Sequence, residues 1–305
     1  MRPLVIIAGL AARHRAPVRQ FALRLGAPVY AEPLSGLRED AELDPLLVRN
    51  ERMLSRGGFD SVIRIGNVPT LRFWRDLTLP VTHYGDLPFT GMPGGAVMPI
   101  EDLPPRPPKA AAPQEFLAED RRKAEEFGQI LDAEPQSELA MVRTLSRDIP
   151  RAARVYLGNS LPIREWDLAA TREPREFTVE ANRGANGIDG QLSTFFGWCD
   201  PEGENWCIVG DLTAIYDANA PWVVPQINAP FTIIILNNGG GRIFGRVPSL
   251  RRMDPAVRER LVENPHALHF DGWARMWNIE SRVVELLPNR EASRRAWERY
   301  DALWA

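Results

Sequence analysis

Two short apolar runs, Trp206-Cys207-Ile208-Val209 and Phe231-Thr232-Ile233-Ile234-Ile235-Leu236, constrain this chain more than any other stretch. Both have strand character, and each ends at once in a polar cluster. The first runs into Gly210-Asp211-Leu212-Thr213, the second into Asn237-Asn238-Gly239-Gly240-Gly241-Arg242-Ile243-Phe244. Both clusters therefore stand where strands give way to loops, the edge of an α/β sheet at which ligands bind. A carboxylate on one loop and an amide on the next can close on a hard cation. Magnesium takes oxygen ligands in an octahedron and keeps substrate phosphates in its shell. The glycines after Asn238 let the backbone approach a ligand. Residues 210–244 thus read as a clamp for magnesium and a diphosphate.

The rest of the chain supplies the sheets that such a clamp needs. Strand signals at 4–8, 28–31, 61–65 and 80–84 alternate with helical ones at 17–25, 45–55 and 70–75. That alternation argues for a parallel sheet covered by helices, a Rossmann-like domain over 1–102. Gly9 lacks the Gly-x-Gly-x-x-Gly context, so nothing here points to a dinucleotide. The prolines of residues 103–113 stop a helix and favour a stiff extended linker. A second α/β domain follows over 114–305. It has helices at 114–133 and 137–146 and strands at 155–157 and 177–180. A helix at 188–196 precedes strand 207–209, and a helix at 213–219 precedes strand 232–236. Helix 271–277, strand 283–286 and a helix from Arg290 close the chain. Residues 246–265, rich in Arg and Pro and without period, read as a mobile loop or irregular helix over the site.

Composition narrows the function classes. A chain of 305 residues is long enough for two cores, and a net charge of −3 gives no reason to expect nucleic acid. Cys199 and Cys207 cannot make a disulfide framework and read as packing thiols in a reducing compartment. Leu4-Val5-Ile6-Ile7 ends in Gly9 and reads as a strand, not a signal segment. No apolar stretch approaches the ~20 residues of a membrane helix. The expectation is a cytoplasmic protein.

Two more motifs follow strands. Gly158-Asn159-Ser160-Leu161-Pro162-Ile163-Arg164 reads either as a helix cap or as an anion site, since free amides at a helix start favour negative charge. Arg164 stands one helical turn after Ser160, a pairing suited to a carboxylate. Asn182-Arg183-Gly184-Ala185-Asn186-Gly187-Ile188-Asp189-Gly190 is a tight loop of the kind in which backbone meets ligand. Taken singly, Arg183 reads equally as a surface charge and Ile188 as core.

Together these motifs, in this order, resemble those of one family of thiamine-diphosphate enzymes, the MenD family of the menaquinone pathway. Leu192-Ser193-Thr194, Tyr216-Asp217, Asn219-Ala220 and Ile243-Phe244 extend the match. The resemblance is close in the second half and loose in the first. It implies a domain of the thiamine-diphosphate-binding fold. Asp211, Asn238 and the main-chain oxygen of Gly240 would hold Mg²⁺ or Mn²⁺. Asn159, Gly187, Gly210, Leu212 and Thr213 would meet the cofactor, and Ile188, Ile243 and Phe244 would pack against it. Arg72, Ser160, Arg164 and Arg183 would face substrate carboxylates, Arg72 reading equally as a solvated helix arginine. The implied reaction decarboxylates 2-oxoglutarate and adds the succinyl carbanion to isochorismate, with thiamine diphosphate as electron sink. Both substrates are polyanions, which suits guanidinium ligands.

The family's activating glutamate belongs to an N-terminal pyrimidine-binding domain, and nothing here resembles it. The expectation is therefore a fragment or one subunit of a split enzyme, inactive alone. The missing domain would come in cis or in trans, within a homodimer or hetero-assembly. Leu71, Gly239 and Phe195-Phe196-Gly197-Trp198 depart from the usual family residues. The competing readings are another thiamine-diphosphate-dependent 2-oxo acid decarboxylase or carboligase, and a non-catalytic subunit that kept the fold.

Overall fold

The computed structural model describes residues 2–71, 73, 77–88, 95–110 and 113–304, the side chains of Pro248 and Arg251 excepted. Arg72, with residues 74 and 75 of the helix expected at 70–75, lies outside the described residues. The chain forms two compact units, one of Met1–Ala133, Thr171–Val179 and Glu298–Ala305, the other of Glu134–Ala170 and Glu180–Trp297. The chain forms two five-stranded parallel sheets, so the α/β expectation holds.

In the first unit the strands are β1 (Pro3–Ile7), β2 (Val29–Ala31), β3 (Ser61–Ile65), β4 (Val81–Tyr84) and β5 (Val97–Met98), in the order β2-β1-β3-β4-β5. The dipeptide strand β5 carries too little pattern to be read from sequence. Strand β1 is buried along its whole length, and its residues alternate between two cores. Val5 and Ile7 join Val18, Phe21 and Leu25 of helix α1 (Ala12–Leu25). Leu4 and Ile6 join Met53, Phe59 and Val62 on the other side. This two-residue period explains why a continuous apolar run is a central strand. Helix α1 starts before Pro17 rather than at it, because loss of one backbone donor does not outweigh burial of its apolar face. The helix expected at 45–55 is instead two 3₁₀ turns, Asp44–Leu46 and Glu51–Arg56. Between them Leu47 bridges to Val29, and the Val48 amide donates to the Val29 carbonyl at 2.8 Å. Sheet-edge pairing here overrides helical spacing. Helix α2 (Gln114–Ala133) follows, as its pattern predicts.

The second sheet contains β6 (Arg154–Leu157), β7 (Thr178–Glu180), β8 (Asn205–Gly210), β9 (Phe231–Leu236) and β10 (Val283–Leu286), in the order β10-β9-β8-β6-β7. Its helices are α3 (Glu138–Asp148), α4 (Leu161–Ala169), α5 (Gln191–Trp198) and α6 (Asp211–Tyr216). Residues 246–265 form two short helices, α7 (Pro248–Arg251) and α8 (Pro255–Arg258), and a π turn, Glu259–Glu263. Then come α9 (Asp271–Met276) and α10 (Arg290–Ala302). Cys207 lies in the core with Ile233, Ile235 and Phe195, and Cys199 packs against it, both as free thiols. The ends of β6, β8 and β9 are level, since Leu157 pairs with Ile208 and Gly210 with Leu236. Three neighbouring strands therefore deliver residues 158–160, 211–213 and 237–241 to one edge.

Candidate functional site

Helix α6 opens directly on β8, so Asp211 is the first helical residue after Gly210. Its carboxylate is buried and ties the loops together. Oδ1 accepts the Leu212 amide at 2.6 Å, and Oδ2 accepts those of Gly239 and Gly240 at 2.8 and 2.9 Å. His266 Nε2 lies 3.3 Å from the same Oδ2. Burial pushes the Asp211 carboxyl above its ordinary range, with the Gly240 and Leu212 amides pulling it back. Thr213 is buried behind it, while Gly210 and Leu212 are half-buried.

The loop after β9 fixes two asparagines in different roles. Asn237 is structural, its amide donating to the Leu268 carbonyl at 2.8 Å and to Glu285 at 2.6 Å. Asn238 sends its amide nitrogen to both oxygens of Glu138, at 2.9 and 3.1 Å. That leaves Asn238 Oδ1 buried with no hydrogen-bond partner among the described residues. Gly240 has φ +132°, and a Cβ there would stand 2.5 Å from the Glu263 carbonyl, so only glycine fits. Its own carbonyl accepts the Arg242 amide at 2.9 Å. Arg242 clamps the loop from outside through the Asn238 and Gly239 carbonyls and Glu263. Ile243 and Phe244 follow in a half-buried 3₁₀ turn.

The loop after β6 gathers the two arginines. Ser160 precedes α4 with φ +76° and makes no side-chain capping bond, so its hydroxyl is not spent on the helix. A non-glycine residue in that region stores strain. Arg164 Nη1 donates to the Ser160 carbonyl at 2.5 Å, and Arg183 Nη1 to Asn159 Oδ1 at 2.8 Å. Asn159 Nδ2 in turn holds the carbonyls of Ala185 and Gly187 at 2.9 and 2.8 Å. Asn159 is thus the hub joining the second motif to the third. Gln191 supports it, accepting the Asn159 amide and the Tyr156 hydroxyl and donating to the Gly187 carbonyl. Ile188 is half-buried and Gly187 exposed, so the loop faces outward rather than into the core.

Several residues of this arrangement carry no local sequence signal. Glu138 and Glu165, on α3 and α4, are both buried. Burial pushes Glu138 up to about 7, the Asn238 amide opposing the rise and the Asp211 charge adding to it. Burial first and the Glu138 charge second push Glu165 well above the carboxylate range, so the pair does not doubly ionise. Glu263 lies in 246–265, read only as irregular, His266 follows directly after it, and Arg242 stood within the second polar cluster without a role of its own. Asp217 was visible within the cofactor motif, but not its contacts to the 190–192 amides.

No protein-family model matches the chain. Among curated proteins it is 37% identical to the 2-succinyl-5-enolpyruvyl-6-hydroxy-3-cyclohexene-1-carboxylate synthase of Bdellovibrio bacteriovorus, over 99% of this chain and 62% of that protein. It is 35% identical to the protein of the same name from Akkermansia muciniphila, over 94% of this chain and 60% of the relative. A third relative of that name, from Roseiflexus sp., is 38% identical over 55% of this chain and 28% of its own length. The chain spans about 60% of the length of the first two relatives.

Proposed function

The chain is a homologue of the 2-succinyl-5-enolpyruvyl-6-hydroxy-3-cyclohexene-1-carboxylate synthases over nearly all of its own length, and from that premise we propose that it carries the cation- and diphosphate-binding part of a thiamine-diphosphate-dependent transferase of menaquinone biosynthesis. The observation that carries this reading is Asn238 Oδ1, a buried acceptor on the loop whose amides hold Asp211, with no hydrogen-bond partner among the described residues. Asp211, Asn238 and the Gly240 carbonyl are all oxygen donors, the set that Mg²⁺ or Mn²⁺ takes. The donor chemistry and the orphaned acceptor therefore fit a hard cation. In this reading Gly210, Leu212, Thr213, Asn159 and Gly187 frame the cofactor, and half-buried Ile188, Ile243 and Phe244 offer it apolar surface.

Bound thiamine diphosphate supplies the electron sink for losing CO₂ from a 2-oxo acid and forming a carbon–carbon bond. This chain's residues supply recognition and orientation. Arg164 and Arg183 both anchor on the Asn159-Ser160 segment, which brings two guanidinium groups to one loop. Such forks suit the carboxylates of 2-oxoglutarate and isochorismate. The Ser160 hydroxyl, which makes no capping bond to α4, precedes both in sequence and is ready to donate to a carboxylate. The carboxylate that activates the aminopyrimidine ring comes from a pyrimidine-binding domain, in cis or in trans, within a homodimer or hetero-assembly in the cytoplasm. Among the described residues no helix is long and apolar enough to cross a membrane.

The test is calorimetric titration of thiamine diphosphate into the full chain with and without Mg²⁺. Asp211→Ala is expected to remove the Mg²⁺-dependent part of binding. Equal Mg²⁺-dependent binding by wild type and variant would refute the ligand assignment.

A further inference from the structure

Asn238 can serve a cation only if its amide is turned the right way. Asparagine oxygen and nitrogen are nearly isosteric, and a free side chain would sample both orientations. Here the choice is imposed from behind. Both Glu138 oxygens accept from Asn238 Nδ2, at 2.9 and 3.1 Å, which directs Oδ1 away from Glu138 and leaves it buried and without a hydrogen-bond partner among the described residues. Glu138 is itself fixed. It is the first residue of α3, its own amide donates to Ser293 Oγ at 3.0 Å, and Ser137 caps the helix through the Ala140 amide at 3.2 Å. A carboxylate that draws on the amide hydrogens also polarises the amide, making Oδ1 a stronger donor.

We propose that Glu138 is the positioning residue of the cation site: through its paired contacts to Asn238 Nδ2 it locks the amide so that Oδ1 is presented to the metal ion. This rests on the reading of Asp211 and Asn238 as ligands. Glu138 touches neither cation nor substrate and acts through Asn238. Partners of this kind, one shell behind a ligand, typically change metal affinity by about 10–100-fold when removed.

The experiment titrates Mn²⁺ into the full chain at saturating thiamine diphosphate and follows bound ion by electron paramagnetic resonance, with a thermal melt of each variant. Three substitutions separate reach from charge. Glu138→Gln loses the charge but keeps an acceptor at the same reach, and is expected to bind Mn²⁺ within about threefold of wild type. Glu138→Asp keeps the charge but withdraws it by one methylene, and Glu138→Met removes the acceptor. Both are expected to bind about 10–100-fold more weakly. If Glu138→Met does not fold, the Gln and Asp variants decide alone. An Asp variant equal to wild type, a Gln variant as weak as Asp, or melting points that fall while Mn²⁺ affinity holds, would each overturn the proposal. Asp211→Ala is the control. If it retains Mn²⁺, the ligand reading fails; if it loses Mn²⁺ while all Glu138 variants bind normally, only the positioning role fails.

Discussion

Asp120 lies mid-way along α2 between Glu119 and Arg121, where composition suggests a solvated face. It is nevertheless fully buried, its Oδ2 accepting the Arg49 amide at 2.8 Å. Burial raises its pKa from 3.8 to about 6, with Arg49 and Arg172 opposing the rise. The folded chain therefore keeps this proton over a range in which the unfolded chain has lost it. Stability is highest below the unfolded value and falls as pH rises through the folded one. Asp120→Asn cannot ionise, so its stability relative to wild type should improve by roughly 1–3 kcal/mol between about pH 3.5 and pH 7. Urea unfolding at both pH values measures this, and a constant difference would refute it. The same contrast governs what could be read at the candidate site. Asp211 and Asn238 were legible because each stands at the end of an apolar strand run. Glu138 was not, because its partner Asn238 is 100 residues away and only the folded chain brings them together.

At the scale of elements, strands were easier to read than helix starts. Buried parallel strands announce themselves as apolar runs, and β1, β3, β8 and β9 lie within a residue or two of their expected bounds. Helix starts depend on what caps them, and a cap can come from elsewhere in the chain. Helix α5 was expected from residue 188 but begins at Gln191, after Gly190 turns left-handed at φ +73°. Gly190 offers no side-chain cap. Asp217, just past α6, does that work instead, accepting the Gly190 amide at 2.6 Å and the Leu192 amide at 2.8 Å. Asp217→Ala would strand two donors and is expected to cost about 1–3 kcal/mol. Hydrogen exchange at Gly190 and Leu192 should accelerate with it, since both amides lose their acceptor. Unchanged exchange there would show that α5 holds its start without Asp217.

At the scale of the molecule, the α/β class was legible from alternation, but the strand orders were not. Order depends on which distant runs pair, and a local pattern cannot encode that. The order matters here, because placing β8 between β9 and β6 brings three loops to one edge. In the proposed reading that edge supplies oxygen donors for a cation and arginines for carboxylates, which is binding and orientation. In the proposed reaction the proton chemistry that activates the cofactor belongs to a pyrimidine-binding domain, and this chain spans about 60% of the relatives it matches. Positioned acid–base groups contribute roughly 10²–10⁴-fold to rate. The chain as the only protein, supplied with thiamine diphosphate, Mg²⁺, 2-oxoglutarate and isochorismate, is therefore expected to form product at least about 100-fold more slowly than with a pyrimidine-binding domain added. Product formation followed by mass spectrometry measures the ratio. Turnover by the chain alone that the added domain does not raise would sink this division of labour, while leaving the cation site to be judged by its own titration.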